Sequence, residues 1–266
     1  MNIVIYSDKN FEIQANNFIK SIKYAGIFDY KILYYNIGFT SSIQDENVLK
    51  VFWKNDGRRP EFYKPDICLD VLKYCSEEIY YFDCDIILSK RFLKLEVKFG
   101  NSHPMYSQGP IEYPYTWESE NGNVTNFSEG KLMDYLGVKE RTMSYVMACF
   151  FTYDKNCRDF LEEYSSFCNN KYLLKDAKSF YPFTDETVAN VLLWKRGISN
   201  SYGKIFVNTH KYKTFLYCET SDNIMDEMID DNPYEFCENS SRIFFYHGTK
   251  VANENEKILK YINENS

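Results

Sequence analysis

Ile79-Tyr80-Tyr81-Phe82-Asp83-Cys84-Asp85-Ile86-Ile87-Leu88 is the stretch on which the reading of the fold turns. It is a run of β-branched and aromatic residues interrupted by two acids one residue apart. Ser76-Glu77-Glu78 bounds it before and Ser89-Lys90-Arg91 after, so it reads as a buried strand with Asp83 and Asp85 where the strand ends. Alternation puts residues i and i+2 on one side, so both carboxylates can converge on one point. Two such charges repel unless a cation lies between them. Oxygen donors suit Mg²⁺ or Mn²⁺, which also bind phosphate oxygens. The pattern therefore points to a metal-bridged diphosphate site at the carboxyl edge of a sheet, where open α/β sheets take ligands. The plainer alternative is a pair of acids that solvates a strand end.

Outward from that stretch, the chain reads as α/β. Asn2 to Tyr6 is a short apolar strand, and Ser7-Asp8-Lys9-Asn10 is a polar turn with Asn10 as the expected helix N-cap. Phe11, Ala15, Phe18 and Ile22 then form one apolar stripe of a helix that Gly26 ends. Lys31 to Ile37 is a second strand. A strand–helix–strand unit of this length needs a crossover, hence a parallel pair. That geometry puts the Ser7–Asp8 turn at the same edge as Asp83.

Residues 39–63 carry loop signals and give no firm element, after which Pro65 opens a helix lined by Ile67, Cys68, Val71, Leu72 and Cys75. Beyond residue 100 the sequence predicts a short strand within 101–108 and long loops over 109–131. It then predicts a short helix to Leu136, a strand from Ser144 to Tyr153, and helices after it and from Thr184. Tyr113, Tyr115 and Trp117 alternate within the loop region and could form an acceptor platform or ordinary packing. Ile205-Phe206-Val207, Arg242 to Tyr246 and Asn255 to Ile262 read as two short strands and a terminal helix. No internal repeat or linker divides the chain. The expectation is a single domain over 1–266, with a nucleotide-binding half at 1–100 and an acceptor-binding half at 101–266.

Composition excludes several classes. The net charge is −7, and no basic stripe with interleaved aromatics occurs, which argues against nucleic acid as a partner. No apolar run reaches membrane-spanning length, so no transmembrane segment is expected. The eight cysteines show no Cys-x-x-Cys and no regular framework. With no secretory leader before Ile3, they read as reduced thiols of a cytoplasmic protein.

A second chemical cluster ends the last strand: His247-Gly248-Thr249-Lys250. An imidazole there can complete a metal site, Gly lets backbone approach a ligand, and Lys can neutralise phosphate. Its plainer reading is a surface turn. Asp185 and Glu186 open a helix, where acids favour the helix dipole whether or not one of them faces a cleft.

The ordered set resembles the GT-A glycosyltransferases, in particular the glycogenin and galactinol-synthase group and related short bacterial and viral enzymes. The resemblance is carried by Ile3-Val4-Ile5-Tyr6-Ser7, Lys64-Pro65, Tyr81-Phe82-Asp83-Cys84-Asp85, Asp185-Glu186 with Asn190, and His247-Gly248-Thr249-Lys250. It implies a single Rossmann-like domain with a central, mostly parallel mixed sheet flanked by helices. It implies that Asp83, Asp85 and His247 hold Mn²⁺ (or Mg²⁺), that Lys250 contacts the diphosphate, and that Ser7, Asp8 and Lys64 bind the nucleotide-sugar. Asp185 and Glu186 are the expected catalytic acids.

The implied reaction moves a sugar from a nucleotide-sugar, UDP-linked before GDP-linked, to a hydroxyl of a glycan or other acceptor, with retention as in the families it most resembles; with inversion, Asp185 or Glu186 would be the general base. The chain departs from the family pattern in the spacing and residues after His247, in Glu186 where Gln is usual, and in Met147-Ala148-Cys149-Phe150. Two other readings fit the residues: a HAD-like Asp-x-Asp phosphatase, and a non-catalytic nucleotide-binding or interaction module.

Overall fold

The first 54 residues form the expected crossover and add a strand to it. β1 (Asn2–Ser7) and β2 (Lys31–Ile37) are apolar along nearly their whole length and pair in parallel, Ile3 opposite Ile32 and Ser7 opposite Asn36. Between them α1 (Glu12–Tyr24) buries Ala15, Phe18 and Ile22. Gly26, with φ of 83°, reverses the chain after it, a conformation a Cβ disfavours. The helix start differs from expectation. No side chain caps α1 itself; Asp8 caps a single 3₁₀ turn before it, its carboxylate accepting the Asn10 N–H at 2.9 Å. Aspartate outranks its neighbour here because its side chain reaches the amide two residues on.

β3 (Val48–Trp53) pairs in parallel with β2, from Ile32 opposite Val48 to Ile37 opposite Trp53. No element was expected in this stretch. It is only partly buried, so its sequence lacks the contrast between an apolar and a polar face by which strands are recognised.

The computed structural model describes residues 1–108, 127–143, 145–170, 184–200, 202, 205–206, 215–219 and 243–247; for 108, 127–131, 184, 205–206, 215–219 and 243–247 it describes backbone alone. The expected platform at Tyr113, Tyr115 and Trp117 and the expected helix from Asn255 to Ile262 lie outside these residues. Among the described residues, no helix is long and apolar enough to cross a membrane.

The 79–88 run is not one strand. β4 (Ile79–Phe82) ends before Asp83, the chain turns at Cys84–Asp85, and β5 (Ile86–Leu88) follows in another sheet. With β6 (Met105–Gln108) and β7 (Val146–Tyr153), β4 is a central strand of a six-stranded, mostly parallel sheet in the order β3-β2-β1-β4-β7-β6. β5 instead opens a four-stranded antiparallel sheet with β10 (Ile243–His247), β9 (Phe215–Glu219) and β8 (Ile205–Phe206), in the order β5-β10-β9-β8. The last strand therefore includes His247 rather than stopping at Tyr246. β9 is a further strand that no sequence signal had marked.

The chain folds as two compact units, each assembled from separated stretches. The first comprises Met1–Lys54, Phe82–Val97 and Lys204–Ser266; the second comprises Asn55–Tyr81 and Lys98–Gly203. In the first, Phe18 of α1 packs on Phe82 with centroids 5.0 Å apart, and the Ser21 hydroxyl accepts the Leu88 N–H at 3.0 Å.

In the second unit, α2 (Lys64–Val71) begins with Pro65 in its first turn, as expected, and stops before Cys75. β6 (Met105–Gln108) lies antiparallel to β7 (Val146–Tyr153), every residue of which is buried. α3 (Phe127–Leu136) ends at Gly137 (φ 68°). α4 (Arg158–Cys168) buries Phe160, Leu161, Tyr164 and Cys168. α5 (Thr184–Lys195) has Thr184 as its first helical residue. Tyr81 stacks on Phe151 at 4.4 Å in the middle of this core.

Asn190 is buried where α5 meets β7. It accepts the Val146 N–H at 2.8 Å, and its amide donates to the Val146 carbonyl at 2.9 Å and the Glu186 carbonyl at 2.8 Å. Asn190→Ala should destabilise the chain by roughly 2–4 kcal/mol, because it strands the buried Val146 N–H and C=O. Equilibrium urea unfolding measures this, and an unchanged midpoint would refute the anchoring role.

Candidate functional site

The residues expected to act fall into two groups, one in each unit. In the first unit, Asp83 and Asp85 flank the turn between β4 and β5, with Asp85 only 5 % exposed. Burial and the neighbouring carboxylates of Asp85, Asp83 and Asp8 push the Cys84 thiol well above its usual range. Asp83 and Asp85 offer hard oxygen donors of the kind that Mn²⁺ and Mg²⁺ take. Antiparallel pairing sets the His247 backbone opposite Ile86, the residue directly after Asp85. The His247 side chain and all of Lys250 lie outside what is described. Among the described residues there is no cluster of three or more metal-ligating side chains.

Ser7 and Asp8 sit at the carboxyl end of β1. The Ser7 hydroxyl is 2.6 Å from the buried Tyr34 hydroxyl. Burial keeps the Tyr34 phenol protonated well past its ordinary range, against the opposing bond from Ser7. Beside them is a group that sequence reasoning missed, the Glu12 carboxylate. It accepts the Ser41 hydroxyl at 2.9 Å, the Ser42 N–H at 2.6 Å and the Ser42 hydroxyl at 3.0 Å, and pairs with Lys9. This ties the loop after β2 to the start of α1. Its only trace in the sequence is Ser41-Ser42, which reads as an ordinary loop signal.

In the second unit, Lys64 is 3 % exposed, and its ammonium lies 2.7 Å from the Asp185 carboxylate. It also donates to the Ala148 carbonyl at 2.9 Å and lies over the Tyr81 ring at 5.1 Å. The Tyr164 hydroxyl donates to Asp185 at 3.3 Å. Glu186 accepts the Ala148 N–H at 2.9 Å. The two acids at the start of α5 thus do different work: Asp185 holds a buried cation and Glu186 holds the backbone of β7. Sequence reasoning named Lys64, Asp185 and Glu186 but not their pairing, and it missed Tyr164.

No protein-family model and no curated protein sequence matches the chain. Solved structures do. The galactosyltransferase LgtC, in complex with donor and acceptor sugar analogues, is 13% identical, matches over 99% of this chain and 96% of its own, and superposes with a TM-score of 0.55. An active-site mutant of LgtC gives 12% identity, 98% and 96% coverage, and a TM-score of 0.57. The chain has the GT-A glycosyltransferase fold. In these terms β1 to β4 make the Rossmann-like part of the GT-A sheet, and the Asp83–Asp85 turn leaves it at the end of β4.

Two expectations follow from the geometry. Burial raises the Glu12 carboxyl, but Lys9, the Ser42 N–H and the Ser41 and Ser42 hydroxyls outweigh it and bring it from 4.5 down to about 2. A group depressed on folding stabilises above its unfolded value and loses that contribution as pH falls through the folded one. Glu12 should therefore add stability above pH 4.5 that fades between pH 4.5 and about 2. Thermal melts across that window should show Glu12→Gln less pH-dependent than the parent, and identical slopes would refute the clamp.

The second expectation concerns Lys64. Lys64→Met should cost about 3–5 kcal/mol, since it leaves the Asp185 charge buried, and the double change with Asp185→Leu should recover most of that. A double-mutant cycle by urea unfolding measures it, and additive losses would refute the coupling.

Proposed function

We propose that this chain is a metal-dependent glycosyltransferase. It moves a sugar from a nucleotide-diphosphate sugar, UDP-linked in preference to GDP-linked, to a hydroxyl of a glycan or similar acceptor, with retention, in the cytoplasm. The observation that carries the reading is the β5–β10 register, in which His247 pairs with Ile86 one residue past Asp85. Two elements that sequence analysis marked independently, some 160 residues apart, are thus joined by backbone pairing. The GT-A fold supports the same reading, and LgtC, solved with donor and acceptor sugar analogues, matches this chain over nearly its full length.

In this proposal Asp83, Asp85 and His247 hold Mn²⁺ or Mg²⁺, and Lys250 contacts the diphosphate. When bound, the ion offsets the negative charge that grows on the departing diphosphate. Ser7 and Asp8, at the end of β1, take the nucleoside. Lys64, held in place by Asp185, binds the nucleotide-sugar, and Glu186 holds the Ala148 N–H of β7. In transfer, the bond from the anomeric carbon to the diphosphate oxygen breaks and one to the acceptor oxygen forms. The acceptor proton goes to the departing diphosphate. Asp185 and Glu186 are engaged by Lys64 and the Ala148 N–H, and this supports retention, which requires no separate carboxylate base on the acceptor face.

Thermal melts with UDP, GDP, CMP and ADP, each with and without Mn²⁺, test the proposal. UDP at a hundred times its dissociation constant should add about 2.7 kcal/mol, and only with Mn²⁺ present. Asp83→Asn should abolish that shift and sugar transfer together. A mutant that still binds UDP and turns over UDP-sugars would sink the proposal, and hydrolysis of simple phosphoesters through an acyl-phosphate on Asp83 would replace it with a phosphatase.

A further inference from the structure

The loop that leads into α2 is tied to itself by its own side chains. The Arg58 guanidinium lies over the Tyr63 ring, 4.4 Å from its centroid. It donates to the Asp56 carboxylate at 3.0 Å and pairs with Asp66 at 2.8 Å. The Tyr63 hydroxyl donates to Asp56 at 2.7 Å and accepts the Asp56 N–H at 2.9 Å. A guanidinium shared by two acids, with an aromatic face beneath it, fixes both ends of the loop. Whatever this loop presents is therefore preorganised.

It presents Arg59 and Glu61. A single 3₁₀ turn runs over Pro60–Tyr63, and at its end the Lys64 N–H donates to the Glu61 carbonyl. Side chains at i and i+3 of such a turn eclipse, which sets Glu61 beside Lys64. Arg59 pairs with the Glu61 carboxylate; the Arg59 side chain is 57% exposed and that of Glu61 25%. Burial first, and the Asp185 charge with it, raise the Glu61 carboxyl above its ordinary range, against its own backbone amide, Arg59 and Lys64. Glu61 thus lies within electrostatic reach of the Lys64–Asp185 pair.

The charges of this cluster do not balance. Asp185 answers Lys64 and Glu61 answers Arg59, which leaves the Glu186 carboxylate, bonded to the Ala148 N–H, in excess. Arg58 offsets none of it, because it already faces two acids. An anionic group brought to Glu61 meets this excess and is repelled. A hydroxyl needs only an acceptor, and a carboxylate has acceptor sites beyond the one that Arg59 takes.

We propose that Glu61 is a specificity residue for the transferred sugar: its carboxylate accepts sugar hydroxyls and, with Arg59 held against it, selects neutral sugars over uronic acids. This rests on the reading of Lys64 as a contact to the nucleotide-sugar. The same repulsion assigns the sugar, rather than the diphosphate, to the neighbourhood of Glu61. Selection here is by an element that disfavours the wrong ligand as much as by one that holds the right one.

Titration calorimetry of the full chain with Mn²⁺, at about pH 8 where carboxylates are ionised, tests this. The ligands are UDP and pairs that differ only in a carboxylate at C6: UDP-glucose with UDP-glucuronic acid, and UDP-galactose with UDP-galacturonic acid. In the pair whose neutral member binds more tightly, that member should exceed its acid by about tenfold or more. Glu61→Gln should weaken the neutral sugar nucleotide several-fold, close most of the gap and leave UDP unchanged. Arg59→Ala should widen the gap. A purely structural role for Glu61 would instead weaken UDP and both sugars alike. If the parent binds UDP but takes the acid as tightly as the neutral sugar, or if Glu61→Gln leaves the gap open, this proposal alone falls. A parent that binds no UDP in the presence of Mn²⁺ overturns it together with the function on which it rests. Should Glu61→Gln fail to fold, Arg59→Ala decides, and a gap that stays the same or narrows overturns the proposal.

Discussion

A carboxylate taken out of water costs several kcal/mol unless other groups hold it, and the architecture of this chain turns on where that constraint falls. Asp83 and Asp85 interrupt what is otherwise the most apolar stretch in the sequence. A strand running straight through both would carry the acids into the centre of a sheet. Instead the backbone leaves the sheet at Asp83, turns at Cys84–Asp85 and re-enters order in a second sheet. The same turn gathers negative charge, which is felt at the buried Cys84 thiol. What breaks the strand is therefore also what makes the place chemically distinct.

The second unit meets the same constraint differently. Asp185 is buried, and the protein supplies it with the Lys64 ammonium and the Tyr164 hydroxyl. Lys64 in turn satisfies a second donor direction at the Ala148 carbonyl. Such pairs contribute little net stability over apolar replacements but are costly to break singly, so they fix geometry more than they add stability. Here the geometry is that of α2, β7 and α5, tied at one point. Asn190 and Glu186 extend the tie by accepting β7 amides, which leaves the first turns of α5 little freedom.

The two groups also differ in how visible they are before folding. Strand and helix identity in the first hundred residues follows from periodicity and punctuation, and β1, α1, β2 and α2 lie close to where those signals put them. β3 escaped because it is only partly buried and largely apolar on both faces, so no alternation marks it. Capping fell to Asp8, ahead of a 3₁₀ turn, rather than to Asn10, because both residues suit a cap and only the local backbone selects between them. The aspartates at 83 and 85 and the histidine at 247 were legible as residue types that end apolar runs. The Glu12 clamp on Ser41 and Ser42 was not, since its partners lie some 30 residues away with no spacing rule linking them.

By itself, the sequence determined that this is an α/β protein with parallel crossovers and acids at a strand end. Those features depend on interactions within a few residues: alternation, helical stripes, and glycines where the chain must reverse. Tertiary structure decided that the Asp83–Asp85 run divides between two sheets, that His247 pairs beside it, and that Lys64 and Asp185 satisfy one another. Each of these depends on what another segment offers across the fold: a backbone edge, a counter-charge, or a place out of water. Local patterning carries no record of which distant segment will supply them.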